Sequence, residues 1–237
     1  IGVDIEAQPH HCGDGFIQMD WLEFMQRYMA GEFEPAAAFH ASPPCQGYSI
    51  MQNLPWLRNK EYPLLLLPVR ETLERIGLPY VLENVMGARH GAKGLTKRGL
   101  EAHGLQAGYL CGTMFQLPFY RHRLFAANWL WLAPGHPKHS RKMKMIYSIV
   151  GPGNLGKGGG IRMGGPLPKS KGENGVMAII PLSQAIGTMT LTHAPTSRVM
   201  QAAEIMGVPW MKGGEVSQAI PPCYTKHIGE QLLRVLA

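Results

Sequence analysis

The sequence predicts an α/β fold built on a mostly parallel, doubly wound sheet. Three observations carry that expectation. Strand-like and helix-like segments alternate from Gly2 to Val85, the order that builds parallel sheets. Chemically active side chains fall where strand-like runs end, the place where doubly wound folds bind their ligands. Finally, 237 residues at 45% apolar content suffice for one large domain, or for a domain with a small lobe.

The elements follow in order. Residues 1–8, Ile-Gly-Val-Asp-Ile-Glu-Ala-Gln, open as an apolar strand and end in acids. Trp21 to Tyr28 has helical spacing, with Leu22, Met25 and Met29 on one side and Asp20 as a candidate N-cap. Pro35 to Ser42 reads as a short buried strand that stops at Pro43. Leu64 to Gly77 reads as a helix. Pro68 kinks it or sits in its first turn, and Gly77 ends it. Pro79 to Val85 is the next strand. Gly108 to Phe115 and Arg121 to Trp129 read as two more, joined by a short turn around Leu117 and Pro118. Order returns at Gln201 to Met211, and an amphipathic helix over Tyr224 to Leu236 closes the chain. No internal repeat is visible.

The net charge of +7 and the pI near 9.3 suit an anionic partner, of which nucleic acid is the common case. An ordinary basic surface is the plain alternative. The surplus is concentrated: between Pro134 and Gly175, eight cations (Lys138, Arg141, Lys142, Lys144, Lys157, Arg162, Lys169, Lys171) face only Glu173. Within that stretch Gly151 to Gly156 fits G-x-G-x-x-G, and Lys157 extends it to G-x-x-x-x-G-K. Both motifs deliver phosphate to a helix N-terminus. Here Gly158, Gly159 and Gly160 follow, and glycine costs about 1 kcal/mol per residue in a helix. Gly158 also stands where the magnesium-binding Ser or Thr belongs. The stretch therefore reads as a basic loop.

The four cysteines are Cys12, Cys45, Cys111 and Cys223, with no C-x-x-C pair, so a zinc site of the usual spacing is not expected. His10-His11-Cys12 is contiguous, and adjacent residues rarely converge on one ion. No metal is expected. A chain of this size needs no disulfides, which suits a reducing cytoplasm. No apolar run reaches the roughly 18 residues of a membrane span, and no signal peptide is evident. The first residue is Ile1, so the natural start is expected to lie upstream.

Three stretches carry chemistry. In Ser42-Pro43-Pro44-Cys45 the prolines restrict the backbone ahead of a thiol at a strand end. Glu83-Asn84-Val85 ends the next strand, so a carboxyl group shares that mouth. Arg121-His122-Arg123 opens a later strand with two guanidinium groups. Taken singly, these are equally a structural cysteine, a salt-bridged acid and a solvated basic edge.

Together, Pro43-Pro44-Cys45-Gln46-Gly47-Tyr48-Ser49, Glu83-Asn84-Val85, Arg121-His122-Arg123 and the late segment Ser217 to Leu233 resemble DNA cytosine-5 methyltransferases, most closely compact phage-type members. The order is that of the family, and the resemblance runs from Gly2 to Leu233 apart from the basic loop. Two positions depart from it. Phe119 stands where the family often has glutamine, and Ser217-Gln218-Ala219-Ile220-Pro221-Pro222 replaces Gly-Asn-x-Val-Pro-Pro.

The resemblance implies a Rossmann-like, S-adenosylmethionine-dependent sheet with a small target-recognition segment. Its layout would be a catalytic core over 1–133, the basic recognition segment over 134–195, and a return to the core over 196–237. Cys45 would add to cytosine C6, Glu83 would bind N3 and N4, Arg123 would contact O2, and Arg121 would support the cysteine loop. S-adenosylmethionine, released as S-adenosylhomocysteine, would lie on Asp4 and Ile5 at the ribose, on Asp20 and Trp21 at the adenine, and against Pro43, Ser217 and Ala219. Gln46, Ser49, Lys142, Lys144 and Arg162 would touch double-stranded DNA, from which the target base must be flipped. A cytoplasmic monomer in a bacterial or phage-infected cell is implied, with a cognate restriction endonuclease as a possible companion.

The family's leading strand and loop, Asp-x-Phe-x-Gly-x-Gly-Gly, would precede Gly2, so the chain is expected to be N-terminally incomplete. Rival readings are an amino-group (N4/N6) DNA methyltransferase, a thymidylate synthase, and a catalytically inactive DNA-binding relative, with cytosine methylation of RNA a further option within the same chemistry. The first wants an aromatic residue at Cys45. The second wants a histidine at Gln46.

Overall fold

The computed structural model describes residues 1–49, 60–89, 106–117, 119–139, 203–212 and 215–237. These form two compact units. The first comprises Ile1–Tyr109, Arg123–Leu132 and Leu232–Ala237; the second comprises Leu110–His122 and Ala133–Gln231.

In the first unit, β1 (Gly2–Asp4) and β2 (Phe16–Gln18) form a parallel pair in which Asp4 lies opposite Gln18. Helix α1 (Trp21–Met29) follows at once. Asp20 caps it as its sequence position predicts: Oδ1 accepts from the N–H groups of Leu22 and Glu23 at 2.8 and 3.4 Å. Helix α2 (Leu66–Ile76) holds Pro68 in its first turn, where a missing N–H costs nothing. Gly77, at φ 78°, ends it by donating to Leu73 O, a left-handed cap that glycine adopts without strain. Leu66, Val69 and Leu73 repeat at helical spacing and are fully buried.

A second sheet has the order β3-β4-β6-β5. Its strands are β3 (Phe39–Ala41), β4 (Tyr80–Asn84), β5 (Gln106–Leu110) and β6 (Arg123–Ala127). Every residue of β4 is buried, as a central strand requires. Tyr80 and Leu82 on one of its faces join Met25 of α1 and Leu66, Val69 and Leu73 of α2 in one core. Beside Phe125 of β6, the edge of the Trp131 ring fits because Gly108 has no side chain; a Cβ there would lie 2.8 Å from the ring.

The chain is thus mixed α/β, and it differs from the sequence expectation at three points. β3 and β4 are parallel, but β4 and β6 are antiparallel, so the sheet is not uniformly parallel. Among the described residues no crossover helix lies between β5 and β6 to set a parallel course. The strand expected over Gly108 to Phe115 ends at Leu110, because the backbone turns into a 3-10 segment over Gly112–Phe115. β3 is half-buried rather than buried throughout.

The second unit has its own core of Phe119, Ala203, Met206, Val208, Val216 and Ala219. Short α3 (Glu215–Gln218) leads through Pro221 to α4 (Pro222–Leu236), which begins two residues before the expected Tyr224. Tyr224 is fully buried, and its hydroxyl donates to Arg121 O at 2.7 Å. Among the described residues no helix is long and apolar enough to cross a membrane.

Candidate active site

The stretch after β3 is a rigid elbow. Pro43 is buried, and Cys45 (φ −91°, ψ −6°) starts a 3-10 turn over Gln46–Tyr48. The N–H groups of Tyr48 and Ser49 both donate to Cys45 O at 3.0 Å, folding the loop back on the cysteine. Gly47 lets the turn pack closely: a Cβ would come 2.7 Å from Leu64 Cδ2, so that side chain would have to move aside. Tyr48 is buried, and its hydroxyl accepts from Leu66 N at 3.1 Å, satisfying one of the orphan donors in the first turn of α2. Burial pushes the Tyr48 phenol above its ordinary pKa, against a smaller opposing effect of that hydrogen bond. The Cys45 side chain emerges from this elbow half-buried.

The end of β4 is tied to the same elbow. Asn84, 1% exposed, donates from Nδ2 to Pro43 O at 3.0 Å and accepts from Val85 N at 3.0 Å. The 3-10 turn that follows β4, Met86–Arg89, packs against the turn that follows Cys45. One residue back, Glu83 Oε1 meets Arg123 Nε at 3.0 Å, with side chains only 9% and 16% exposed. The register explains the pair. Glu83 lies opposite Phe125, so Arg123, two residues along β6, is its diagonal neighbour on the same face. A carboxylate and a guanidinium this deeply buried are costly to desolvate, and their proximity offsets that cost. A thiol elbow and an ion-paired acid therefore stand at one end of one sheet, as the strand order of Cys45, Glu83 and Arg123 suggests.

Arg121 belongs to the second unit. It is 7% exposed, and its Nη2 donates to Ala219 O at 2.7 Å. Ala219 closes α3 through its N–H to Glu215 O at 2.8 Å. Ser217 lies within α3.

The β1–β2 edge gathers the acids expected at the cofactor. Asp4 ends β1, and its carbonyl accepts from Met19 N at 3.0 Å, so the chain entering Asp20 is bonded to the end of β1. The Asp4 carboxylate accepts from Glu6 N at 2.8 Å and Gln8 Nε2 at 3.2 Å. Ile5 is exposed, with its carbonyl bonded to Gln18 Nε2, while Trp21 packs partly against the core. Gln46 is exposed and Ser49 is half-buried. Lys142, Lys144 and Arg162 lie outside the described residues, as do both glycine motifs.

Sequence reasoning missed the supporting roles of Gly47, Tyr48 and Asn84. It also missed a cluster in the second unit. Cys111, His122, His136 and His139 bring their ligand atoms within 4.8 Å of one another. The signal in the sequence is His136-x-x-His139, which stands apart from Cys111 and His122 and contains no cysteine pair. Burial, then the neighbouring His139 and His136, pushes His122 down to about 4. Burial and His136 lower His139 as well.

No protein-family model matches the chain, and no curated protein matches it in sequence. Among solved structures, it is similar to the crystal structure of the S. pombe Dnmt2 methyltransferase, with a TM-score of 0.38 and 18% identity. The match covers 55% of this chain and 42% of that one, so this chain spans less than half of the matched chain's length.

Proposed function

We propose that the chain is a DNA cytosine-5 methyltransferase acting through a covalent Cys45–C6 adduct. The observation that carries this reading is the Asn84 Nδ2 to Pro43 O hydrogen bond of 3.0 Å. It fastens the cysteine elbow to the strand end that bears Glu83, whose carboxylate is held by Arg123.

Cytosine C5 is a poor nucleophile. When the Cys45 thiolate bonds to C6, the C5=C6 electron pair is released into the ring and C5 gains enamine character. Glu83, bonded to N3 and the N4 amino group, holds a proton where negative charge accumulates. Arg123 keeps the Glu83 carboxylate oriented and reaches toward O2. In the closing step water removes the C5 proton, the double bond reforms, and the S–C6 bond breaks to return the thiolate.

The methyl donor of this reading is S-adenosylmethionine, which supplies an electrophilic sulfonium methyl when bound. The residues present suit it. Asp4 ends β1 and Asp20 follows β2, its parallel, registered partner; of the about four acceptor positions on a carboxylate, the hydrogen bonds already made leave about two on each for ribose or adenine donors. Ile5 and Trp21 flank them. By sequence resemblance, Pro43, Ser217 and Ala219 enter at the cofactor, and Arg121 as a support of the cysteine loop. Gln46 and Ser49, beside the thiol, face the DNA in this reading, with Lys142, Lys144 and Arg162 on phosphates.

The test is product identity. Protein expressed from its complete reading frame is incubated with duplex DNA and methyl-labelled cofactor, and the nucleosides are resolved. The expected product is 5-methylcytosine, lost in Cys45→Ala. N4-methylcytosine, or 5-methylcytosine made by Cys45→Ala, overturns the proposal.

A further inference from the structure

We propose that Cys111, His122, His136 and His139 bind one structural zinc ion. All four belong to the second unit, and the inference is independent of the methyltransferase reading.

The geometry comes first. Cys111 Sγ lies 3.4 Å from His139 Nε2, and His122 Nε2 lies 3.2 Å from His136 Nε2. A tetrahedral zinc with Zn–N of about 2.0–2.1 Å and Zn–S of about 2.3 Å separates its ligands by about 3.3 Å (N to N) and about 3.6 Å (N to S). The two short pairs already have those edge lengths, and the remaining pairs stay within 4.8 Å. A small contraction around an ion completes the tetrahedron.

The donor set selects the ion. One thiolate and three imidazoles suit zinc, whereas calcium and magnesium require oxygen, and no carboxylate is in the group. Four protein ligands fill the coordination sphere, which marks a structural site with no position open for substrate. The surroundings support the ligands. Thr113 Oγ1 lies 3.2 Å from Cys111 Sγ, within reach to donate to a thiolate, and the Tyr120 ring stacks on His139 at 3.7 Å. Cys111 is buried, while His122 and His136 are half-buried.

The topology gives the ion a purpose. Cys111 starts the turn after β5, His122 ends the same connection, and His136 and His139 lie in an extended stretch with no helix or strand of its own over 131–139. Binding would fasten that stretch to the 111–122 connection. On binding, the Cys111 S–H proton leaves to solvent as the S–Zn bond forms, so atoms and charge balance.

The test uses the whole chain, purified with its affinity tag removed and without chelator. Elemental analysis should find about one zinc per chain. Zinc should fall severalfold in Cys111→Ser and in His136→Ala/His139→Ala, while His10→Ala/His11→Ala retains it. Cobalt(II) titrated into stripped wild-type protein needs no variant to fold. It should give tetrahedral visible bands and a thiolate-to-cobalt charge-transfer band. Folded wild type that takes up neither metal, or cobalt uptake without the charge-transfer band, overturns the site. So does zinc undiminished in the double histidine variant. Copper as the stoichiometric metal overturns the assignment to zinc.

Discussion

Replacing Arg123 by methionine removes one partner of the buried pair at the heart of the proposed active site. The Nε–Oε1 contact is 3.0 Å and the side chains are 16% and 9% exposed, so Glu83 loses its counter-charge in a place water scarcely reaches. Breaking a fully buried pair costs about 3–5 kcal/mol. The residual exposure of Arg123 places this variant at the lower end, about 3 kcal/mol. Glu83→Gln should cost less, about 1–2 kcal/mol, because the amide still accepts a hydrogen bond from the guanidinium. The double variant removes both charges and should recover much of the loss, giving a coupling of about 2 kcal/mol. The assay is urea unfolding of all four proteins followed by tryptophan fluorescence, with Trp131 reporting directly because its ring meets Phe125 of β6. Single-variant losses that simply add, within about 0.5 kcal/mol, would refute the argument that the pair is desolvated and mutually dependent.

Asn84→Asp keeps the shape of the side chain but turns the Nδ2 donor into an acceptor facing Pro43 O at 3.0 Å; stability should fall by about 1–3 kcal/mol. Adduct formation should also slow severalfold at unchanged DNA affinity, read by stopped-time trapping beside a binding assay, whereas an unchanged rate would sever the elbow from catalysis. Alanine at Lys142, Lys144 and Arg162 should flatten the fall of DNA affinity with salt while leaving cofactor affinity alone, and an unchanged slope would remove these side chains from the phosphates. Burial pushes the Cys223 thiol up to about 11, so its neutral form prevails at pH 8 and the reactive thiolate accumulates only as pH rises. Iodoacetamide mapped by mass spectrometry should therefore label exposed Cys12 at pH 8 and Cys223 only near pH 11, and equal labelling at pH 8 would contradict that burial.

What could be read from the sequence was local. Asp20 caps α1 and Gly77 ends α2 because a side-chain acceptor and a left-handed glycine act within one turn of chain. Pro43-Pro44-Cys45 carried its own message, since proline stiffness needs no distant partner, whereas the clearance at Gly47 is set by Leu64, outside the motif. Glu83 could be placed at a strand end from β4 alone, yet its partner Arg123 is chosen by antiparallel pairing across forty residues of sequence. That pairing depends on which edge of the sheet is open, and strand propensity says nothing about it. The bond made by Asn84 was invisible for the same reason: its acceptor, Pro43 O, is backbone, and any residue type offers one. The Cys111 cluster is assembled from the turn after β5, the residue before Arg123 and an extended stretch beyond Trp131. Rules based on paired cysteines cannot find it, although His136-x-x-His139 was there to be seen.

The central claim is that the elbow aims Cys45 at cytosine C6. The most direct measurement uses duplex DNA carrying 5-fluorocytosine at the target, with S-adenosylmethionine and protein from the complete reading frame. Fluorine replaces the proton that must leave C5, so the adduct cannot resolve. The account predicts a protein–DNA complex that survives denaturation, requires the methyl donor, maps to Cys45 by peptide mass spectrometry and is absent in Cys45→Ala. Methylation of ordinary DNA by the same preparation with no trapped complex, or a complex mapping to Cys12, Cys111 or Cys223, would contradict it.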